Sequence, residues 1–337
     1  MKKVLLLSTG GTIAARPGSD GLEPAVSGEE LLAELGDLKG AFQVHVRQIM
    51  NLDSSNIQAE EWQTMARCVY AEQDSYDGVI ITHGTDTMAY TASMLSFMLP
   101  GLRKPVVLTG SQVPMENMLT DARNNLFCAL AAVDAGICGV SVAFNRRVIR
   151  GCRAVKVRTM GFDAFESVNA RYLAEIFADG LRVYDRQLPE PDRKPGLMDS
   201  VSTDVLLLKL IPNTNPRLFD VLPELGYRGL VLETFGAGGL HFLHRDLPEK
   251  LRMLRDRGLV VAACSQCLYE SSNFTIYEVG RRLLDAGVIS AGDMTTETAV
   301  TKLMWALGQT RDPEEVRRLF TRNLCEEISQ TPAEAML

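Results

Sequence analysis

Short apolar runs punctuate the chain at residues 4–7, 78–81, 105–108, 139–144, 204–211, 229–232 and 258–263, several of them rich in Val and Ile. Runs of this length without polar alternation predict strands buried on both faces, as in parallel sheets. Between them, residues 59–73, 85–99, 118–135 and 247–257 space their apolar side chains three and four apart, the period of amphipathic helices. Strand and helix alternating in this way predict an α/β architecture. Two helix starts carry their own signal. Ser27-Gly28-Glu29-Glu30 has the form of a capping box, and Asp312-Pro313-Glu314-Glu315 puts proline at the first helical position. Helices over 295–308 and 313–323 are expected to close the C-terminal part.

Residues 186–196 interleave prolines with charged side chains, the composition of an exposed, extended linker. The expected division is therefore an N-terminal domain over 1–185, a linker over 186–203 and a C-terminal domain over 204–337. No internal repeat or low-complexity tract interrupts it. A length of 337 residues suits two domains, each with its own core. The composition, 46% hydrophobic and 23% charged, has no run near the roughly 18 apolar residues of a membrane span, so a membrane partner is not expected. A formal charge of −7 without a basic tract argues against nucleic acid. Seven irregularly spaced cysteines fit a reducing compartment, hence the cytoplasm. The opening residues 1–7 read as a first strand, since Ser8-Thr9-Gly10-Gly11 ends their apolar run too early for a signal peptide.

In parallel sheets ligands gather beyond the carboxyl ends of strands, so the residues following each run are the candidates. After the first comes Ser8-Thr9-Gly10-Gly11-Thr12-Ile13-Ala14, whose glycines permit a tight turn that brings backbone N–H groups close to a ligand. It lacks the glycine spacing of nucleotide loops. After residues 78–81 comes Thr82 and then His83-Gly84-Thr85-Asp86-Thr87, two hydroxyls, a carboxylate and an imidazole at a helix start. Such a start favours anions, and simple capping by Thr85 or Asp86 accounts for one of these residues, not all. The third place is the basic segment Arg150-Gly151-Cys152-Arg153-Ala154-Val155-Lys156-Val157-Arg158. Taken alone it reads as a solvated face. A lysine drawn into a pocket beside Asp86 would instead exchange a proton with a threonine. Cys264-Ser265-Gln266-Cys267 has no second cysteine pair, so zinc is not expected, and the chain has neither an H-E-x-x-H helix nor a G-x-S-x-G elbow.

Together Thr9-Gly10-Gly11-Thr12-Ile13-Ala14 and His83-Gly84-Thr85-Asp86-Thr87 resemble the two signature motifs of bacterial-type L-asparaginases. Asp53-Ser54-Ser55-Asn56, Leu108-Thr109-Gly110-Ser111-Gln112-Val113-Pro114, Arg153 with Lys156, Gly161-Phe162-Asp163-Ala164-Phe165 and Ala291-Gly292-Asp293-Met294-Thr295 extend the resemblance over essentially the whole chain, and it looks like the cytoplasmic type I branch. The expected fold is then a larger N-terminal domain with a doubly wound, flavodoxin-like parallel sheet and a smaller C-terminal α/β domain. The resemblance implies hydrolysis of L-asparagine to L-aspartate and ammonia through a β-aspartyl ester on Thr12. Thr85, Asp86 and Lys156 match the proton-handling residues. Gly11, Asp53, Ser54, Ser55, Thr85 and Asp86 fall on the segments that hold substrate. No metal or organic cofactor is implied. A homodimer or dimer-of-dimers homotetramer is, with active sites near the subunit interface.

Departures from the pattern are local. Leu22 stands where the family usually carries a loop tyrosine, and Gly239 where asparagine is frequent. Val155 and Glu233 replace the threonine and arginine of relatives that asparagine activates at a separate site, so that control is not expected here. Two other readings fit the same residues. One is an asparagine- or aspartate-binding sensor with little turnover; the other is the amidase subunit of a tRNA-dependent transamidation complex.

Overall fold

The computed structural model describes residues 1–18, 21–24, 30, 33, 41–190 and 192–329, with the backbone alone at 17–18 and 21–24. The capping box expected at Ser27 lies outside the described residues. The chain separates into two compact units, Met1–Asp199 and Ser200–Leu337. Residues 192–199, part of the stretch expected as a linker, lie within the first unit and hydrogen-bond to its other residues. Gly196 N–H reaches the Pro100 carbonyl at 3.0 Å and Met198 N–H the Met98 carbonyl at 2.8 Å.

In the first unit the chain runs β1 (Lys2–Gly10), β2 (Ala15–Gly18), β3 (Gly21–Pro24), β4 (Phe42–Leu52), α1 (Ala59–Glu72), β5 (Gly78–Thr82), α2 (Met88–Met98), β6 (Pro105–Thr109), α3 (Ala122–Asp134), β7 (Gly139–Phe144), β8 (Arg147–Arg150), β9 (Ala154–Lys156), β10 (Phe165–Ser167), β11 (Ala174–Phe177) and β12 (Gly180–Val183). β4, β1, β5, β6 and β7 lie side by side in that order and are all parallel. Counted along the chain, these strands are ordered 2-1-3-4-5, the flavodoxin-like arrangement. β8, β11 and β12 extend the sheet antiparallel beyond β7. The expected α/β fold with a flavodoxin-like parallel sheet is thus present, with an antiparallel margin that the apolar runs did not reveal.

Every residue of β5 and β6 is buried, which is why their sequences are continuously apolar rather than alternating. Val4, Leu6, Ile80 and Val107 form a core with Leu126, Ala129 and Val133 of α3. Leu5, Leu7, Val79 and Ile81 point to the other face by the strand period of two and are equally buried, so the sheet is covered on both sides. The order reverses at β1, whose chain neighbours β4 and β5 flank it on opposite sides. A crevice therefore opens beyond the carboxyl ends of β1 and β5.

The second unit runs β13 (Val205–Lys209), α4 (Arg217–Val221), β14 (Gly229–Thr234), α5 (Leu247–Asp256), β15 (Val260–Ser265), α6 (Glu278–Asp285), β16 (Ile289–Ser290), α7 (Thr296–Gln309) and α8 (Pro313–Thr321). Its four strands are parallel in chain order. Leu230, Leu232, Val261 and Ala263 pack with Leu251, Leu254 and Leu283 in a separate core. The proline start of α8 forms as expected: the Asp312 carboxylate accepts from the Glu314 N–H at 3.1 Å. Lys302 of α7 is fully buried and pairs with the equally buried Glu327, which also accepts N–H bonds from Leu324 and Cys325. That pair pins the segment following α8 to α7.

Candidate active site

Three loops converge at the crevice because their backbones touch. Gly11 sits at φ +80° just after β1, and a β-carbon there would lie 2.4 Å from the Gly84 nitrogen. Only glycine meets both demands, a left-handed backbone and that close approach. A β-carbon on Gly84 would in turn lie 2.6 Å from the Ser54 hydroxyl oxygen. Thr12 opens the short 3-10 turn Thr12–Ala14, and Ser54 opens another, Ser54–Asn56, capped by Asp53. The Asp53 carboxylate accepts from the Ser55 N–H at 2.8 Å and from the Ser55 hydroxyl. Thr87 ties the turn to the β5 loop by donating its hydroxyl to the Ser54 carbonyl at 2.7 Å.

Lys156 reaches this crevice from the end of β9, a strand held antiparallel to β10 with Phe165 opposite Lys156. Phe165 is buried against Phe144 at a ring separation of 5.0 Å, which anchors the hairpin. The Lys156 Nζ donates to Thr85 Oγ1 at 2.7 Å and to Asp86 Oδ1 at 2.6 Å. Thr85 is buried, whereas Asp86 is two-thirds exposed, so the lysine spans from the floor of the crevice to its rim. Neither Thr85 nor Asp86 caps α2. That helix begins three residues later than the apolar spacing predicts, with Thr87 at the cap position. The backbone N–H groups of Thr12 and Thr85 have no acceptor among the described residues, which leaves two donors for an anion.

His83 stands behind the loop rather than in it. It is fully buried, with Nε2 2.9 Å from Thr91 Oγ1 and Nδ1 2.6 Å from the Gly84 carbonyl. A carbonyl oxygen only accepts, so the ring proton is on Nδ1 and holds the Gly84 carbonyl, and Nε2 of the neutral ring accepts the Thr91 hydroxyl proton while Trp62 Nε1 donates to the same Oγ1 at 2.9 Å. Because the peptide is planar and trans, the Thr85 N–H faces the opposite way. Burial pushes the imidazole pKa down to about 4, against the raising effect of the Gly84 hydrogen bond, and the ring is neutral.

Residues 3–189 match the family model for asparaginase, N-terminal, and residues 204–320 match that for the glutaminase/asparaginase C-terminal domain. The chain belongs to the asparaginase family. Among its family relatives is an L-asparaginase of Thermococcus kodakarensis, 42% identical over 97% of this chain and 99% of that one. The solved structure of the thermostable L-asparaginase from that organism superposes with a TM-score of 0.92 over 98% of this chain and 100% of its own, at 41% identity. L-asparaginase I from Vibrio cholerae superposes with a TM-score of 0.85 at 31% identity, covering 98% and 99% of the two chains. A glutamyl-tRNA(Gln) amidotransferase subunit from Methanothermobacter thermautotrophicus is 37% identical over 97% of this chain and 77% of that one.

Of the residues singled out from sequence, Gly11, Thr12, Ser54, Thr85, Asp86 and Lys156 lie on loops or strand ends linked by direct contacts, Gly11 to Gly84, Gly84 to Ser54, and Lys156 to Thr85 and Asp86. Asp53 and Ser55 are exposed on the same turn as Ser54, bonded to each other. The basic segment 150–158 is not a solvated face. Arg150 and Arg153 are buried, and Arg150 is paired with Asp185, where the chain leaves β8 through the 3-10 turn Gly151–Arg153 and enters β9. Cys264 is buried in β15, its thiol pushed up to about 11 by burial, while Cys267 is exposed. Sequence reasoning assigned no role to Gln112, Thr91 or Trp62. Gln112 follows β6 by three residues, so the rule that directs attention beyond strand ends was sufficient to flag it.

Proposed function

We propose that the protein is an amidohydrolase converting L-asparagine to L-aspartate and ammonia through an ester on Thr12. The observation that carries the reading is the set Thr85, Lys156 and Asp86, in which one amine lies 2.7 Å from a hydroxyl and 2.6 Å from a carboxylate beside the Gly11–Gly84 contact. A threonine hydroxyl is almost entirely protonated at neutral pH and needs a neighbouring base. In this reading Thr12 Oγ1 attacks the side-chain amide carbon while its proton passes to the Thr85–Lys156 pair. The oxyanion is received by the N–H groups of Thr12 and Thr85, which have no acceptor among the described residues. The C–N bond then breaks, the nitrogen takes a proton from the same pair, and ammonia leaves. Water attacks the β-aspartyl ester, aspartate departs and Thr12 regains its proton. Asp86, at the rim, pairs with the substrate α-amine, and Asp53, Ser54 and Ser55 receive its α-carboxylate and amine. With Leu22 in place of the usual tyrosine, activation of Thr12 falls on Thr85 and Lys156.

The test is ammonia release from L-asparagine and L-glutamine by wild type, Thr12→Ala and Lys156→Met. Each folded variant is expected to lose at least about a hundredfold in kcat. Wild-type turnover by Thr12→Ala rejects the nucleophile. A preference for glutamine favours the transamidation reading, which the amidotransferase relatives motivate. Tight aspartate binding without turnover favours the sensor.

The same reading makes the protein a cytoplasmic homodimer or dimer-of-dimers homotetramer. Seven free cysteines support the compartment. The exposed apolar side chains Met118, Leu119, Met160 and Phe162, from 46% to 94% exposed, support the assembly, since exposed apolar surface favours association. Sedimentation of the purified protein is expected to show dimers or tetramers, and a monomer at assay concentration rejects the assembly.

A further inference from the structure

Gln112 holds three hydrogen bonds that leave its amide a single orientation. Its Nε2 donates to the Thr159 carbonyl at 3.0 Å and to the Gly161 carbonyl at 3.1 Å, which uses both amide protons. The end facing Thr85 is therefore Oε1, an acceptor, 3.3 Å from Thr85 Oγ1. The backbone is fixed as firmly, because the buried Asp121 carboxylate accepts from the Gln112 N–H at 3.0 and 3.1 Å and from the Val113 N–H at 3.1 Å. Asn125 completes this support by donating to Asp121 at 3.0 Å and to the Gly110 carbonyl at 2.9 Å.

Thr85 has one proton and two lone pairs. Lys156 Nζ donates to the oxygen at 2.7 Å, so the hydroxyl proton is directed to Gln112. We propose that Gln112 is a positioning residue for the amide hydrolysis, holding the Thr85 proton away from Lys156 in the resting enzyme and locking the 157–161 loop, which follows Lys156, to the same hydroxyl. At 3.3 Å the bond to Oε1 is long for an O–H donor and is readily given up. The hydroxyl turns from Gln112 to Lys156 when a proton must pass between them. No covalent bond changes in this step. The inference rests on the reading that Thr85 and Lys156 carry the proton.

The experiment follows kcat and KM for asparagine in wild type, Gln112→Met, Gln112→Asn, Gln112→Glu and Thr85→Val, with thermal melts on each. Gln112→Met and Gln112→Asn, the second a methylene too short to reach Thr85, are expected to lose roughly ten- to a hundredfold in kcat with KM changed far less. Gln112→Glu keeps an acceptor for Thr85 but loses both protons that Nε2 gives to the Thr159 and Gly161 carbonyls, so the 157–161 loop is released and kcat is again expected to fall with KM changed far less. If Gln112→Met fails to fold, Gln112→Asn and Gln112→Glu carry the test. Wild-type kcat in the Gln112 variants overturns the proposal, and so does a defect that appears in KM or in the melting temperature while kcat is kept, which marks a merely structural residue. Full activity in Thr85→Val overturns the underlying proton-transfer reading instead. An inactive Thr85→Val beside unaffected Gln112 variants overturns the present inference alone.

Discussion

His83 shows how a titratable group serves this site without entering it. Its neutral ring depends on burial, and the native pKa of about 4 lies below the ordinary 6.5. For a base with a depressed native pKa, the stability it contributes is complete above pH 6.5. It is lost as pH falls towards 4, because the unfolded chain takes up a proton that the folded chain refuses. That window corresponds to about 3 kcal/mol. Urea unfolding of wild type and His83→Asn between pH 7 and 4 is expected to show the gap between them narrowing by about that amount. A gap that stays constant with pH rejects the neutral, buried assignment. Nothing local in the sequence told of this role. His83 reads as one polar residue among four, and its partner Thr91 and the Trp62 that donates to Thr91 come from α2 and α1.

At the scale of elements, the strands that were legible are the continuously apolar ones, all largely buried except β13 at the edge of its sheet. β4 was not, because an edge strand half open to solvent alternates, and Phe42–Leu52 carries Gln43, His45 and Arg47 on its exposed positions. The strands β8 to β12 are three or four residues long and pair antiparallel, too short for a period to register. The start of α2 was displaced for a different reason: Thr85 and Asp86 are engaged by Lys156 and Thr87 by Ser54, so tertiary bonds hold these residues out of the helix. The anchoring of α7 is likewise invisible in its spacing. Burial pushes the Glu327 carboxyl up, but the Lys302 ammonium and the surrounding N–H donors more than offset this, so the pKa lies below the usual range. Lys302→Met leaves a buried charge without its partner and is expected to cost about 3–5 kcal/mol in urea unfolding. The double change Lys302→Met with Glu327→Leu is expected to recover most of it. A single variant as stable as wild type contradicts the pairing.

At the scale of the whole molecule, the sequence by itself determined the α/β class, the two parallel cores and the residues that flank them. Burial on two faces and helical amphipathicity write themselves into local composition. The glycine and threonine motifs were equally legible, since a turn that approaches another backbone admits few residue types. What only the tertiary structure decided is which distant segments share a crevice. The reversal of strand order at β1 brings Thr12, Ser54 and Thr85 to neighbouring loops, and the β9–β10 hairpin carries Lys156 to Thr85. Strand order is fixed by the global packing of two sheet faces, which no window of sequence contains. It also decided that an arginine-rich stretch lies buried and that Gln112 faces Thr85 with its oxygen. Both depend on partners tens of residues away, and a side chain's orientation is set by the sum of its hydrogen bonds rather than by its neighbours in the chain.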